Sequence, residues 1–408
     1  MDTEQSRQEG VLPGGYSYIN SAAASPPPQQ VVDAMVDYLQ KTVDVGPYLP
    51  AFRSEVYRKI DETREKAGRF LGADASEIAF VKNGTEGINF VANGLSWKEG
   101  DEIILADIEF HSNFTPWLKL KDKEKVTLKI IETDRSGVID VQQIEKEITD
   151  QTKLITVSHL PNASGALQKI ERICNVARKH QVLTLINASQ TLGLIPINVK
   201  ELDCDFLTGC GRKWLRGPEG SGLLYVRKSL VESIEPTITG WGGTDWDFET
   251  NEYRYIPTAK RLEAGCPIVP SILGLNAAID YAQGIGVESI RKKVEALTRY
   301  AVAQLSSIQG ISIYGPEDIE NRLAIIPFNV AGLHPDEITN YLEDHKVIIE
   351  SGTFMANKLL QQYGIDKMAR LSPHYFNTEE DIDLVISLIK SLQKKKKKLA
   401  LFGELKSK

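Results

Sequence analysis

A glycine-rich stretch between two apolar runs contains the residue best suited to covalent chemistry. Lys213 lies within residues 208–218, where glycines at positions 209, 211 and 217 let the backbone approach a ligand closely. A lysine in a partly dry, cation-rich pocket can lose its proton and attack an aldehyde as an amine. The alternative is an exposed lysine in a polar loop, which is the usual situation of this residue type.

Strands and helices alternate between residues 77 and 226. The predicted strands are short, apolar on both faces and rich in β-branched residues, and they lie at 77–81, 102–106, 127–131, 153–158, 182–186, 204–207 and 221–226. This pattern predicts an α/β fold whose mainly parallel sheet is covered by helices on both sides. Ligands gather at the carboxyl ends of such strands. One site is therefore expected from the polar residues that follow them, which are Thr85, His111, Asn162, Asn187 and Lys213.

Residues 211–218 resemble the cofactor-lysine loop of the class V aminotransferase superfamily. They read Gly-Arg-Lys-Trp-Leu-Arg-Gly-Pro, and the resemblance continues in order from about residue 18 to residue 392. That superfamily includes cysteine desulfurases, C–S lyases and isopenicillin N epimerase-like proteins. The resemblance implies a fold-type I pyridoxal 5′-phosphate-dependent transferase, in which Lys213 forms an imine with the cofactor and moves the Cα proton.

The turn at residues 83–87 has the composition of a phosphate site. Gly84 and Thr85 open an apolar helical stretch, so free backbone N–H groups, the helix dipole and a hydroxyl face an anion. An ordinary N-cap role for Thr85 is the alternative. The resemblance assigns this turn to the cofactor phosphate, together with Cys210 and Arg212. It adds Cys266, from a segment that reaches across a dimer interface to the partner's cofactor.

The resemblance also assigns residues to the cofactor ring. It places His111 against the ring face as a catalytic clamp, Asn162 and Gln190 beside the phenolic oxygen, and Asn187 beside the ring nitrogen.

Two further residues are assigned to the substrate. Arg370 would bind the substrate carboxylate, for which its forked guanidinium is suited, although an ordinary surface arginine is the alternative. Ala23 belongs to a small-residue segment, 18–24, that is expected to lie against the site.

Several positions depart from the superfamily pattern. Asn187 replaces an aspartate, which predicts a weakened electron sink and little true transamination, because a neutral amide stabilises a protonated ring less well. Cys210 and Cys266 replace hydroxyl residues, and thiols are weak donors. Met355 stands where desulfurases carry the cysteine that accepts sulfur as a persulfide, and a thioether cannot act as a thiolate does. Glu350 replaces a second arginine.

These features predict a pyridoxal phosphate-dependent enzyme that acts at Cα of an amino acid. The favoured reaction is desulfurase-like or C–S lyase-like cleavage without the usual persulfide cysteine. Racemisation or epimerisation is the second interpretation, since a short-lived carbanion tolerates a weak electron sink. The third is a degenerate, non-catalytic paralogue that binds a sulfur-assembly system. The expected partners are the amino acid, a second copy in a homodimer with the site at the interface, and, as a further option, a sulfur-acceptor protein.

Length and composition restrict the class of protein. The 408 residues are 42% hydrophobic and 25% charged, which is ordinary for a globular protein, and the net charge of −7 argues against a nucleic-acid partner. Four cysteines without metal-type spacing predict a reducing compartment and neither disulfides nor a metal site. With no long apolar run and no signal-like start, we expect a cytoplasmic protein without membrane contact.

Four regions are expected along the chain. They are an N-terminal segment at 1–29, a large cofactor-binding domain at 30–285, a smaller α+β C-terminal domain at 286–393 and a Lys-rich, frayed tail at 394–408. Residues 241–255 are expected to form surface loops.

Overall fold

A computed structural model describes residue 12 and residues 14–406, without the side chains of residues 400–406. After a short strand, β1 (Ser17–Tyr18), seven strands form one sheet in the order β2-β8-β7-β6-β5-β3-β4. Their bounds are β2 (Ile78–Val81), β3 (Glu102–Ala106), β4 (Thr127–Ile131), β5 (Thr152–Ser158), β6 (Leu183–Asn187), β7 (Phe206–Cys210) and β8 (Gly222–Val226). All neighbours are parallel except β8, which is antiparallel to β7 and β2. The prediction of a mainly parallel sheet is confirmed.

The last part of β7 differs from the sequence prediction. Residues 208–210 were assigned to the lysine loop, but they continue the strand. Thr208, Gly209 and Cys210 pair with Leu224, Leu223 and Gly222 of β8. Backbone pairing with an antiparallel neighbour thus overrides the loop-like composition.

Helices cover both faces of this sheet and build the C-terminal region. Their bounds are α1 (Gln29–Val45), α2 (Pro50–Leu71), α3 (Gly84–Gly94), α4 (Thr115–Glu124), α5 (Val141–Glu147), α6 (Ile170–Lys179), α7 (Val199–Leu202), α8 (Val269–Ile285), α9 (Val287–Ser306), α10 (Pro335–Asp344), α11 (Asn357–Tyr363) and α12 (Glu379–Lys406). Among the helices of the described residues, none has both the length and the apolar character that crossing a membrane requires.

Strand alternation divides the core into layers on the two faces of the sheet. Ile103 and Leu105 of β3 belong to one buried cluster, whereas Ile104 and Ala106 belong to the other. Successive side chains of a strand point to opposite faces, so burial on both sides requires an apolar residue at every position.

A second, four-stranded antiparallel sheet lies in the C-terminal region. Its order is β11-β12-β15-β14, and β1 pairs in parallel with β13. The bounds are β11 (Ile311–Ile313), β12 (Ile326–Val330), β13 (Val347–Ile348), β14 (Glu350–Gly352) and β15 (Met368–Leu371). α8 ends and α9 begins on either side of Gly286, next to the predicted boundary at residue 285. The domain limits themselves stay predictions.

Two local expectations are wrong. Residues 241–255 contain a hairpin, β9 (Thr244–Trp246) with β10 (Tyr253–Tyr255), in which tyrosine and tryptophan favour strand pairing. The lysine run is not frayed, because α12 continues through it to Lys406. Lys396 there forms an ion pair with Glu337 of α10, which holds this part of the helix against the domain.

Candidate active site

The carboxyl ends of five parallel strands meet at one edge of the large sheet. Ser158 of β5 pairs with Asn187 of β6, and Asn187 pairs with Thr208 of β7, so these three positions are adjacent. The loops that follow β2, β3, β5, β6 and β7 carry most of the residues that the sequence predicted, namely Gly84, Thr85, His111, Asn162, Gln190, Arg212 and Lys213.

The lysine loop is closed by backbone hydrogen bonds. The N–H of Gly211 donates to the carbonyl of Ser221 over 2.8 Å, and the N–H of Gly217 donates to the carbonyl of Gly211, also over 2.8 Å. The buried Trp214 follows Lys213 and donates its indole N–H to Gln190 Oε1 at 2.7 Å. Side-chain anchoring immediately beside Lys213 therefore restricts where the lysine can point.

Lys213 has the properties of a nucleophilic lysine. Its Nζ makes no hydrogen bond or ion pair with any residue that the structure describes. Burial lowers the pKa of Lys213; Arg212 and Arg370 act in the same direction, and Cys210 and Glu350 oppose them. A lowered pKa increases the fraction of neutral amine, the form that can attack an aldehyde or remove a proton.

The N-terminus of α3 points into the same edge. Asn83 is the N-cap, because its Oδ1 accepts from the N–H of Glu86 at 2.9 Å. The alternative role of Thr85 as the N-cap is therefore wrong, and its hydroxyl instead donates to Ser112 Oγ at 2.7 Å. A Cβ added to Gly84 would lie 2.5 Å from Ser189 Oγ. Glycine at this position thus brings free N–H groups against the loop after β6, as an anion site requires.

Asn187 is buried and takes part in a hydrogen-bonded chain that sequence analysis missed. Its Nδ2 donates to Ser158 Oγ at 3.1 Å, while its Oδ1 accepts from the N–H of Ser189 at 3.1 Å. Ser158 Oγ in turn donates to Glu109 Oε2 at 2.5 Å. The buried Glu109 also accepts from the N–H of Ser158 at 2.6 Å and from Asn113 Nδ2 at 2.7 Å. The hydroxyl group of Ser158 thus connects Asn187 to a buried carboxyl group.

Arg370 comes from β15 of the smaller sheet and reaches the loop after β5. Its Nη1 donates to the carbonyl of Asn162 at 3.0 Å, and its Nη2 forms an ion pair with Glu350. Asn162 donates its Nδ2 to the carbonyl of Phe354 at 3.1 Å, but its buried Oδ1 lacks a hydrogen-bond partner in the described part of the chain.

The N-terminal segment lies against these loops. Gln190 Nε2 donates to the carbonyl of Ala22 at 2.9 Å, and Arg212 Nη1 donates to the carbonyl of Ala23 at 2.9 Å. The small side chains of this segment permit this close approach, which brings Ala23 and Arg212 to the same edge.

Three positions complete the comparison with the prediction. His111 opens a single helical turn, His111–Asn113, and its side chain is exposed beside Ser112, the partner of Thr85. Cys210 is buried and donates to the carbonyl of Ser189 at 3.8 Å. Cys266 is not brought to this edge within one chain. It lines a separate cavity of about 340 Å³, and none of the other predicted site residues does so.

The fold and the site together define a class of protein. An unpaired lysine lies at the carboxyl edge of a mainly parallel, seven-stranded sheet, and a helix N-terminus suited to phosphate faces the same edge. These are the features of a fold-type I pyridoxal phosphate enzyme, as the sequence predicted.

Comparison with known proteins identifies the family. Residues 17–385 match the model of the family described as Aminotransferase class-V. A probable cysteine desulfurase of Methanothermobacter thermautotrophicus is 34% identical over 94% of this chain and 96% of its own. The apo structure of a cysteine desulfurase from Thermococcus onnurineus NA1 is 31% identical, with a TM-score of 0.89 over 95% of this chain and 97% of that one. A cystine C–S lyase shares the fold with a TM-score of 0.83 over 91% and 96% of the two chains, at 22% identity.

This chain therefore belongs to the class V aminotransferase family. It is a cysteine desulfurase-like, pyridoxal phosphate-dependent enzyme.

The residues present fit this cofactor. Lys213 supplies an amine that has no partner in the described part of the chain, Gly84 lets the α3 N-terminus approach the loop after β6, and Asn162 Oδ1 is a buried acceptor that needs a partner. We expect Thr85, Arg212 and Cys210 to add to the phosphate contacts, and His111, Asn187 and Gln190 to position the ring.

The residues that sequence analysis missed share one property. Ser158, Ser189 and Trp214 contact predicted site residues from other strands or loops, and Glu109 reaches the site through Ser158. The signal for Glu109 was a charged residue in the loop that follows an apolar strand, a position that usually belongs to a site in this fold class.

We expect Lys213→Ala to abolish covalent attachment of pyridoxal phosphate, because no other amine is provided by the lysine loop. Borohydride reduction followed by peptide mass spectrometry measures attachment, and visible absorbance follows it in solution. Lys228→Ala, which removes an exposed lysine on the next loop, is the matched control and should bind like the wild type. Borohydride-stable cofactor on the Lys213→Ala protein would contradict the assignment.

We expect Glu109 to make stability depend on pH. Burial raises the pKa of Glu109 from 4.5 to about 7, against the opposing hydrogen bonds of Ser158 and Asn113. Because the pKa is raised in the folded state, the Glu109 carboxyl group stabilises the fold fully below about pH 4.5, and this stabilisation is lost as the pH rises through about 7. The free energy of unfolding in urea should therefore fall over this range, relative to Glu109→Gln, by at most about 3 kcal/mol. The exposed Glu99→Gln is the control, and parallel profiles for wild type and Glu109→Gln would count against this interpretation.

Proposed function

We propose that this enzyme cleaves the C–S bond of a sulfur-containing amino acid and releases the sulfur as sulfide. The observation that carries this proposal is the residue at the sulfur-accepting position. Met355 stands there, 58% exposed, in a segment where both Phe354 and Met355 have positive φ angles of 51° and 58°. Two adjacent non-glycine residues in the left-handed region are strained, so the conformation that exposes the Met355 side chain costs conformational free energy.

The other sulfur atoms of the chain do not replace the missing thiol. Cys174 and Cys204 are buried, and burial raises the pKa of both thiols. Cys210 is buried beneath Ser189, and Cys266 lies in the separate cavity. No cysteine follows residue 266. A sulfur atom that leaves Cβ therefore has no thiolate on this loop to receive it, since only the thiolate is a competent nucleophile.

The reaction balances without an oxidant. Elimination from L-cysteine breaks the Cα–H and Cβ–S bonds and, after hydrolysis, gives pyruvate, ammonium and sulfide in equal amounts. Pyridoxal phosphate, when bound, withdraws electrons from Cα and so makes its proton acidic.

Residues of the chain would move the Cα proton, orient the substrate and position the ring. Lys213, whose pKa burial lowers, is placed to accept the Cα proton as a neutral amine. Arg370 would orient the substrate through its carboxylate, and Asn162 and Gln190 would fix the ring. Asn187 offers an amide rather than a charge next to the ring nitrogen, which suits expulsion of a good leaving group better than the longer sequence of transamination.

We also propose a homodimer, on the basis of an apolar surface. Val36, Leu39 and Val43 recur at helical spacing on α1 and are all exposed, although Val31 of the same helix is fully buried. Trp241 and Ile268 are exposed around the cavity that contains Cys266. A second copy packed against both groups of residues would cover them and bring Cys266 towards the partner's phosphate site, as the family resemblance implies.

We also propose a cytoplasmic location, because the spacing of the four cysteines is not that of a disulfide framework and none of the four is paired in this fold. A sulfur-acceptor protein would be needed only if sulfur were transferred rather than released.

We expect the purified enzyme to convert L-cysteine to equimolar pyruvate and sulfide, with no alanine. Met355→Cys supplies the missing thiol, so it should form a persulfide that dithiothreitol reduces and should yield some alanine. Met355→Leu, which keeps the volume without the thiol chemistry, is the control. Alanine from the wild type would support sulfur transfer. Exchange of the Cα proton without sulfide would support racemisation, and no change in substrate at all would favour the non-catalytic interpretation.

We expect the double substitution Leu39→Glu and Val43→Glu to dissociate the dimer, because it places charges on the apolar face of α1. Light scattering after size exclusion measures the mass. Gln30→Glu adds a charge to the same helix at an exposed position on the opposite side from this face, and it should leave the dimer intact. A wild-type protein that is monomeric at micromolar concentration would refute the proposal.

A further inference from the structure

The substrate-binding arginine already holds a carboxylate of its own chain. Glu350 of β14 and Arg370 of β15 are direct cross-strand partners, so the register of the sheet places their side chains together. They form a short ion pair in which the arginine side chain is 3% exposed and the glutamate side chain is 39% exposed. Glu350 is therefore the more exposed member of the pair.

The two Nη groups of Arg370 are occupied. Nη1 donates to the carbonyl of Asn162, and Nη2 is shared between Glu350 and Asn20 Oδ1, the latter at 3.4 Å. The guanidinium lies 4.1 Å above the ring of Phe354, which restricts its movement on that face. The Nε of Arg370 is buried and has no hydrogen-bond partner among the described residues. Bidentate binding of a substrate carboxylate uses either both Nη groups or Nε with Nη2, and Nη2 already contacts Glu350. A substrate must therefore displace Glu350.

Displacement leaves Glu350 without its cation. A second carboxylate on Arg370 would repel it at close range, and a partly buried charge that loses its partner is unfavourable. The charges of three groups, Arg212, Arg370 and Glu350, act on both Tyr18 and Lys213. Of these three groups, the two arginines are cations and Glu350 carries the negative charge. Glu350 is thus the available counter-charge for a positive group that enters this side of the site.

We propose that Glu350 selects substrates that carry a second, cationic group on the side chain. The substrate carboxylate binds Arg370, and the ammonium or guanidinium group of the substrate side chain binds Glu350 in place of Arg370. The substrate class is then a cysteine thioether with a basic S-substituent, such as an S-aminoalkyl-L-cysteine. This inference rests on the proposed C–S cleavage, whose leaving group becomes the corresponding aminoalkyl thiol.

The first experiment compares two substrates of nearly equal shape. S-(2-aminoethyl)-L-cysteine has an ammonium group where S-propyl-L-cysteine has a methyl group. We expect the wild type to favour the former in kcat/KM by about tenfold, which corresponds to one charge-assisted hydrogen bond. The difference should lie mainly in KM. Glu350→Gln should remove the preference, Glu350→Asp should retain part of it, and Glu343→Gln, an exposed carboxyl on α10, should leave it unchanged.

The second experiment measures binding without turnover. Calorimetry of the holoenzyme with L-lysine and with L-norleucine, which lacks the ε-ammonium group, gives the two dissociation constants. We expect tighter binding of L-lysine to the wild type, and equal binding of both compounds to Glu350→Gln.

These measurements separate the inference from the function on which it rests. Absence of pyruvate from L-cysteine and from both thioethers would refute C–S cleavage, while the ratio of the two dissociation constants would still decide the role of Glu350. Pyruvate from L-cysteine alone would leave the proposed function in place and overturn the thioether substrate class. Equal affinity for lysine and norleucine in the wild type would overturn the inference. So would a Glu350→Gln enzyme that improves with both compounds alike, because Glu350 would then be a general competitor for Arg370 and not a specificity residue.

Discussion

The register of the parallel strands is the constraint on which the rest of the site depends. Backbone pairing sets Ser158, Asn187 and Thr208 side by side at the ends of β5, β6 and β7. Each following loop then starts from the same edge, and the glycine at position 84 lets the N-terminus of α3 approach the loop after β6. Lys213, the N-terminus of α3 and the loops that carry Asn162 and Gln190 are therefore near one another, because the carboxyl ends of parallel strands lie at the same edge of the sheet.

The site keeps a carboxyl group although the family aspartate is absent. Asn187 is neutral, but Ser158 connects its amide to the buried Glu109. A hydroxyl that donates to a carboxylate is polarised, which strengthens its acceptance of a hydrogen bond from Asn187. The amide is thereby held in one orientation. We expect Asn187 to lie beside the ring nitrogen of the bound cofactor, where its amide would act as an oriented dipole and an aspartate would provide a full charge.

The two departures with the greatest chemical consequence lie in one short segment. Glu350 occupies the start of β14 and neutralises Arg370, and Met355 follows in the strained loop after it. We propose that the first changes which substrates can reach the arginine, and that the second removes the atom that would carry sulfur away. Both changes alter how substrate and product are handled while the lysine loop keeps its form.

The parallel strands of the large sheet and the α/β class could be predicted from the sequence, since apolar periodicity and turn composition are local properties that can be seen in a single chain. The family followed from the resemblance of the lysine loop to a known motif, which also named Lys213, Asn162 and Arg370 without their partners. Three features appear in the tertiary structure alone: Ser158 links Asn187 to Glu109, Arg370 faces Glu350, and Cys266 lies away from the others within one chain. The tertiary structure also showed that Thr208–Cys210 extend a strand and that the lysine run continues a helix. The physical reason is that such contacts join residues far apart in sequence, and strand register and helix docking, which set them, follow from the packing of the whole core.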